Sequence, residues 1–244
     1  MTFNSSTTVR EVATSIPQST RVFEKFKIDY CCGGATPLIE ACANAGIDFQ
    51  VLEQMLQDVA KPDEVAKKET DFQQTSLPEL VEHIVNTHHC FTKDEMTRLQ
   101  PLFDKVLSVH GENHPELRQA NALFKRLCAD LTPHMFKEEQ ILFPYIVNLA
   151  KAAMHKMPAP FAPFGTVNNP VRMMMMEHDV AGEIVKELRA ATNDYTVPPD
   201  VCISYKTLYD ALAQFEQDLH QHIHLENNIL FPRAIETEEL ACRS

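Results

Sequence analysis

Two segments of the chain repeat a pattern that can bind metal. His134-x-x-x-Glu138-x-x-Ile141-Leu142-Phe143-Pro144 recurs as His222-x-x-x-Glu226-x-x-Ile229-Leu230-Phe231-Pro232. On a helix, residues four apart share a face, with Cβ atoms about 5–6 Å from each other. Each copy therefore presents one imidazole and one carboxylate to the same point. A solitary His-x-x-x-Glu is most often a surface ion pair. Matched copies on two helices instead imply two imidazoles and two carboxylates around a shared centre, closed against solvent by the Ile-Leu-Phe that follows.

Two further helical stretches offer partners. One contains Glu177-His178-Asp179 after four methionines, and the other contains His88-His89. A 100° count along the stripe Val81, Val85, Met96, Leu99, Phe103 and Val106 places His88 nearer the buried face than His89. Four histidines and two glutamates suit iron, manganese or zinc. A single tetrahedral zinc needs only four ligands, so six converging groups fit two metals better. His110 is excluded by distance, since 21 helical residues beyond His89 amount to about 30 Å. His110, His114, His83 and His155 read as solvated histidines, and His220 and His224 as surface groups or groups that orient a ligand. Met173–Met176 cover all sides of a helix and read as core packing. Glu177 is either a carboxylate behind a ligand or a solvated one. Cys31-Cys32-Gly33-Gly34 reads either as an exposed loop whose amides lower a thiol pKa or as a structural turn with inert thiols. Cys42, Cys90, Cys128, Cys202 and Cys242 share no spacing and read as core or incidental thiols.

The elements that must position these groups are helical. The 244 residues include six Gly and no Trp, hydrophobic residues make up 44%, and the net charge is −12. That charge argues against nucleic acid as a partner. No apolar run approaches the length needed to span a bilayer. The start of the chain resembles no secretory signal, and seven unpatterned cysteines fit a reducing cytoplasm. Short helices are expected at 9–15, 18–26, after a Thr36 N-cap with Pro37 in the first turn, and from Asp48 to about Val59. Residues 61–76 read as a polar linker. Four long helices follow: Ser76, with Glu79 closing a capping box, to about Val109; Pro115 to about Leu149, interrupted at Pro144; Pro170 to about Thr192; and Pro198-Pro199 to about Leu230. Their lengths and short turns indicate an all-α, up-down-up-down four-helix bundle (77–244) behind a small helical domain (1–60).

The second half of the chain resembles a hemerythrin-like di-iron domain. Ile28-Asp29-Tyr30-Cys31-Cys32-Gly33-Gly34 resembles the ScdA-type domain that precedes it in the repair-of-iron-centres proteins. The resemblance implies metal ligands at His89, His134, Glu138, His178, His222 and Glu226, with the glutamates bridging, and so selects His89 over His88. It implies two irons per chain in an oxo- or hydroxo-bridged centre, and a role in restoring iron–sulfur clusters damaged by oxidative or nitrosative stress. Damaged iron–sulfur proteins are then the partners, NO or O2 the candidate ligands, and Cys31 and Cys32 candidates for redox or iron handling. A homodimer is left open. The rival readings are a di-iron enzyme that reduces NO and an O2 or NO sensor or carrier.

Overall fold

The computed structural model describes residues 3–4, 6–60 and 71–243, and among these eight helices account for the fold. The described part contains no strand, only an isolated bridge between Thr8 and Pro37. No helix in it is long and apolar enough to cross a membrane.

The first four helices are short and stopped by local chemistry: α1 (Val9–Ser15), α2 (Ser19–Phe26), α3 (Leu38–Ala45) and α4 (Phe49–Val59). Thr8 and Glu11 close a capping box on α1. Asp48 accepts the Gln50 amide at the head of α4, and Gly46 ends α3 in the left-handed conformation that Cβ-bearing residues resist. Thr36 does not cap α3; Pro37 occupies that position and no side chain supplies the hydrogen bond. Val12, Phe23, Tyr30, Leu38, Leu52 and Leu56 form the core of this unit. Residues 61–70 of the expected linker lie outside the described residues.

The four long helices run further than the prolines suggest. α5 joins Leu77–His83, Ile84–His89 and Cys90–His110 without a break. Ser76 and Glu79 form the expected capping box at its head. α6 joins Glu116–Lys137, Glu138–Leu142 and Phe143–Met154; α7 is Asn168–Ala191; α8 joins Ile203–Leu225, Glu226–Leu230 and Phe231–Arg243. The middle segments of α5, α6 and α8 are π-helical, with one extra residue in the turn. In the two repeat copies the Phe143 amide donates to the Glu138 carbonyl and the Phe231 amide to the Glu226 carbonyl. This five-residue spacing has already left the α ladder, so the missing N–H and the ring of Pro144 and Pro232 are accommodated. Neither proline interrupts or ends its helix. Pro198-Pro199 likewise does not open α8, which begins at Ile203.

In the bundle, α6 packs on α5 and α7, and α8 on α5. Two apolar clusters fill it. One holds Leu99, Phe103, Phe124, Leu127, Tyr205, Leu212 and Phe215, the other Leu80, Ile84, Phe143, Ile146, Val171, Leu230 and Phe231. Between them lies a polar layer. Of the Ile-Leu-Phe triplets expected to close it, Ile141 instead faces solvent, while Leu142, Phe143 and the whole second triplet are buried.

The small domain sits on the bundle through hydrogen bonds. Asn228 Nδ2 donates to the carbonyls of Tyr30 (3.0 Å) and Cys31 (3.3 Å), and Gln221 Nε2 to the Tyr30 hydroxyl (2.8 Å). Gly34 needs its missing side chain here, because a Cβ would stand 3.2 Å from Asn228 Oδ1 and the Tyr30 carbonyl.

Candidate metal centre

The polar layer is built from two overlapping sets of donors: His89, Glu138, His222 and Glu226, and His134, Glu138, His178 and Glu226. All six side chains are at most 2% exposed. The six residues named from the resemblance are thus brought together, one from α5, two from α6, one from α7 and two from α8. His88 is not among them. It points toward α8, where its Nδ1 faces Asp218 at 2.9 Å.

The extra residue in the α5 turn explains why His89, and not His88, points inward. Ile84–His89 is π-helical, so residues before and after it lie on differently phased stripes, and a constant 100° step across the segment fails. His89 ends that segment with its ring stacked on Phe143.

The donor atoms face one another. His89 Nε2 lies 3.0 Å from His222 Nε2, and His178 Nε2 lies 3.0 Å from His134 Nε2. Two ligands at right angles around a metal about 2.1 Å from each are about 3.0 Å apart, which is the spacing of neighbours in a six-coordinate site. Glu226 places Oε1 3.0 Å from His222 and Oε2 3.1 Å from His178, so it spans the two sets. Glu138 Oε2 is 3.3 Å from His134 and 3.5 Å from His89. Both Glu138 oxygens and Glu226 Oε2 are buried without a hydrogen-bond partner. Buried, unpaired carboxylates opposite paired imidazole nitrogens are costly unless a cation lies among them, and the residues fit a metal pair.

Electrostatics lead to the same conclusion. Burial opposes a charged imidazolium at His89, but the close carboxylates of Glu138 and Glu226 outweigh it and push its pKa up to about 10. His134 rises to about 9, with burial again overcome by Glu138. Burial and Glu226 act to raise Glu138, yet His134 and His89 hold it at about 2. Without metal, therefore, protons on imidazoles supply the positive charge that the carboxylates require.

Outer groups orient the rings. His89 Nδ1 donates to Glu139 Oε1 (2.7 Å), which also accepts from Lys93 (2.5 Å). His178 Nδ1 donates to Asn227 Oδ1 (2.8 Å). Glu139 and Asn227 each follow the glutamate of a repeat copy, so one position in both copies anchors the histidine of another helix. His134 Nδ1 donates to Glu177 Oε2 (2.8 Å), and Lys137 pairs with the same carboxylate. Glu177 is therefore a carboxylate behind a ligand. His222 Nδ1 has no partner, and His88 stacks on the ring instead. Sequence reasoning passed over Glu139 and Asn227, although the repeat aligns them. Glu139→Ala or Glu177→Ala should weaken metal affinity about 10- to 100-fold, as loss of such anchors does elsewhere. Competition against a calibrated chelator measures this, and an unchanged affinity would refute the anchoring role.

Cys31 and Cys32 stand apart from the six candidate ligands, in a turn whose amides are engaged elsewhere. The amides of Cys31, Cys32 and Gly33 donate to Asp29 Oδ1 at 3.2, 3.0 and 2.9 Å, so none is left for a thiolate. Contact with Cys32, burial and the Asp29 carboxylate push the Cys31 thiol well up. Cys32 is half-buried, its Sγ 3.9 Å from that of Cys31, and a Cβ built on Gly182, one turn beyond His178, would lie 3.7 Å from it. The other readings change too. His114 is buried, as is His224, whose pKa burial pushes down to about 4 and whose Nδ1 accepts from Asn228 (3.0 Å). His220 meets Glu24 of the small domain at 2.8 Å. Both flanking histidines hold the small domain rather than a ligand. Of the four methionines only Met174 is buried; Met173 and Met176 are exposed.

Comparison with known proteins agrees with this architecture. Residues 5–60 match the ScdA N-terminal family, a domain of unknown function (DUF542), and residues 80–234 match the hemerythrin HHE cation binding domain. A probable iron-sulfur cluster repair protein of Haemophilus influenzae is 35% identical over 225 residues, 92% of this chain and 95% of the relative. The iron-sulfur cluster repair protein YtfE of Escherichia coli is 34% identical over 229 residues, 93% of this chain and 96% of its own length. YtfE of Shigella boydii shows the same identity and coverage. With both domains matched in order and nearly all of its length covered, the chain belongs to the iron–sulfur cluster repair family, in which a ScdA-type domain precedes a hemerythrin-like cation-binding bundle.

Proposed function

We propose that this chain holds two iron ions and acts in the repair of iron–sulfur clusters damaged by oxidative or nitrosative stress. The observation that carries the reading is the pair of overlapping donor sets that share Glu138 and Glu226. His89 and His222 would hold one ion and His134 and His178 the other, with Glu138 and Glu226 shared between them. When bound, a ferrous pair supplies transferable iron and an affinity for small ligands such as NO.

The residues set how firmly each ion is held. Each set has two imidazoles and shares two carboxylates, so the donor charge per ion is low. A site with few anionic ligands surrenders iron more readily than a carboxylate cage. The two ions are not held alike, since both imidazoles of the His134/His178 set are anchored at Nδ1 and His222 of the other is not. Cys32, beside α7 and half-buried, is the thiol through which the small domain would receive iron or electrons.

Two measurements test the reading. Metal analysis with Mössbauer spectroscopy of anaerobically purified protein should give two irons per chain; a reproducible single zinc that iron cannot displace would exclude it. Activity recovery by an NO-damaged iron–sulfur dehydratase should then follow addition of the wild-type protein, and a Cys31→Ser/Cys32→Ser variant should keep the iron spectrum yet restore less. Full recovery with that variant would reduce the cysteine loop to a structural turn. Multiple-turnover nitrous oxide formation without cluster recovery would favour the NO-reducing enzyme instead.

A further inference from the structure

The bundle carries a second chemically unusual corner at the end of α5, where the α5–α6 turn meets the start of α8. His110, the last residue of α5, brings Nε2 to 3.1 Å from the sulfur of Cys202. Cys202 is a free, exposed thiol at the N-cap of the long helix α8. A helix N-terminus and a neighbouring imidazole both favour a thiolate. The His110 contact, followed by the amides of Tyr205 and Ser204, brings the thiol down to about 7.

A second histidine packs beside this pair. His114 is 9% exposed, and its Nε2 has no hydrogen-bond partner, Asp200 Oδ2 lying 3.5 Å away. Its other nitrogen donates to Glu116 (3.0 Å), which also accepts from the buried Tyr205 hydroxyl (3.2 Å). The Tyr205 ring packs against both histidines. Glu116 is thus engaged with His114 and Tyr205, and Asp200 is the other carboxylate facing His114. Val109 and Ile203, each next in sequence to a member of the pair, are 65% and 75% exposed and give the corner an apolar rim.

We propose that Cys202 is a thiol–disulfide exchange site, with His110 as its proton acceptor and a low-molecular-weight disulfide as its electrophile. The Cys202 proton passes to His110 Nε2, the thiolate sulfur attacks one sulfur of the disulfide R–S–S–R, and the Cys202–S–S–R bond forms as the R–S bond to the other sulfur breaks. The leaving thiolate takes the proton from His110, so one thiol and one disulfide become one mixed disulfide and one thiol. This site is independent of the metal centre, from which His110 is separated by about 30 Å of helix.

The test exploits two opposing effects. At pH 7 a thiol of pKa about 7 is roughly half ionised against about 3% for an ordinary thiol near 8.5, but its lower basicity makes each thiolate about fivefold less reactive. The reaction of the purified full-length protein with oxidised glutathione, resolved by peptide mass spectrometry, is compared with that of an unstructured peptide covering residues 197–207. Relative to the peptide, Cys202 should react about threefold faster at pH 7, about sixfold faster at pH 6 and about fourfold slower at pH 9. A difference in access alone scales every pH equally and cannot produce this change of ratio. His110→Gln should flatten the ratio, and Cys202→Ser should remove the adduct at this position. A pH-independent ratio in the wild-type protein overturns the proposal whether or not the variants fold, and so does a His110→Gln protein that keeps the wild-type profile.

Discussion

Glu226→Leu should cost the protein at least one of its metal ions, and Glu138→Leu should do the same, while His110→Leu keeps both. Two divalent ions about 3.5–4 Å apart repel by on the order of 20 kcal/mol at an effective dielectric near 20, before any ligand is counted. Each bridging carboxylate offsets part of that repulsion for both ions, so its loss is felt twice. Glu226 faces His222 with one oxygen and His178 with the other, which makes it the stricter test of bridging. Leucine fills a similar volume but leaves the facing imidazoles without their carboxylate, so the metal-free variant should fold with less stability than the metal-free wild type. Metal loss with intact folding therefore separates a ligand from a merely structural residue. Metal content by elemental analysis, beside a thermal melt of the metal-free forms, measures both. Two ions retained in Glu226→Leu, with a site emptied by His110→Leu, would mean that the helix register argued here is wrong.

Chelation should produce the largest change in stability. An ion present at about a thousand times its dissociation constant contributes about 4 kcal/mol, and at about 2–4 °C per kcal/mol two ions raise the melting temperature by roughly 15–30 °C. The pH dependence should differ in sign between the two forms. In the metal-free protein His89 and His134 are raised to about 10 and 9. Their stabilisation is complete below the unfolded pKa near 6.5 and is lost as pH rises through the folded values. The metal-loaded protein needs neutral imidazoles, so protons compete with its metal and its advantage grows as pH rises from 6. The difference in melting temperature between the two forms should therefore widen from pH 6.5 to pH 9. A difference that stays constant across that range would mean that the histidines are not exchanging protons for metal.

The metal centre was legible in the sequence where its geometry is local. A four-residue step on a helix fixes the relation of His134 to Glu138 and of His222 to Glu226 whatever else the chain does, and the repeat showed that two helices carry the same device. The bundle followed from helix lengths and turn residues for a similar reason. Gly46, Asp48 and the Ser76–Glu79 box act within one turn and did as their types require.

The proline readings failed because a proline breaks an α-helix only if the ladder around it is an α ladder. At Pro144 and Pro232 the preceding turn is already widened. The same cause misled the periodicity of the first bundle helix. One added residue rotates everything after it, so the apolar stripe favoured His88 while the fold turned His89 inward. Resemblance to a family supplied what periodicity could not.

Helical class and the two His-x-x-x-Glu pairs could be read from the chain alone, because both are set by interactions between residues a turn apart. Which groups meet across helices follows from how the helices pack. Asp29 takes the amides that might have activated Cys31, Glu139 and Asn227 anchor histidines of other helices, and His110 reaches Cys202 across 92 residues. These contacts depend on the relative rotation and register of whole helices. That rotation is set by the widened turns and by the packing of the two apolar clusters, and spacing along the chain does not carry it.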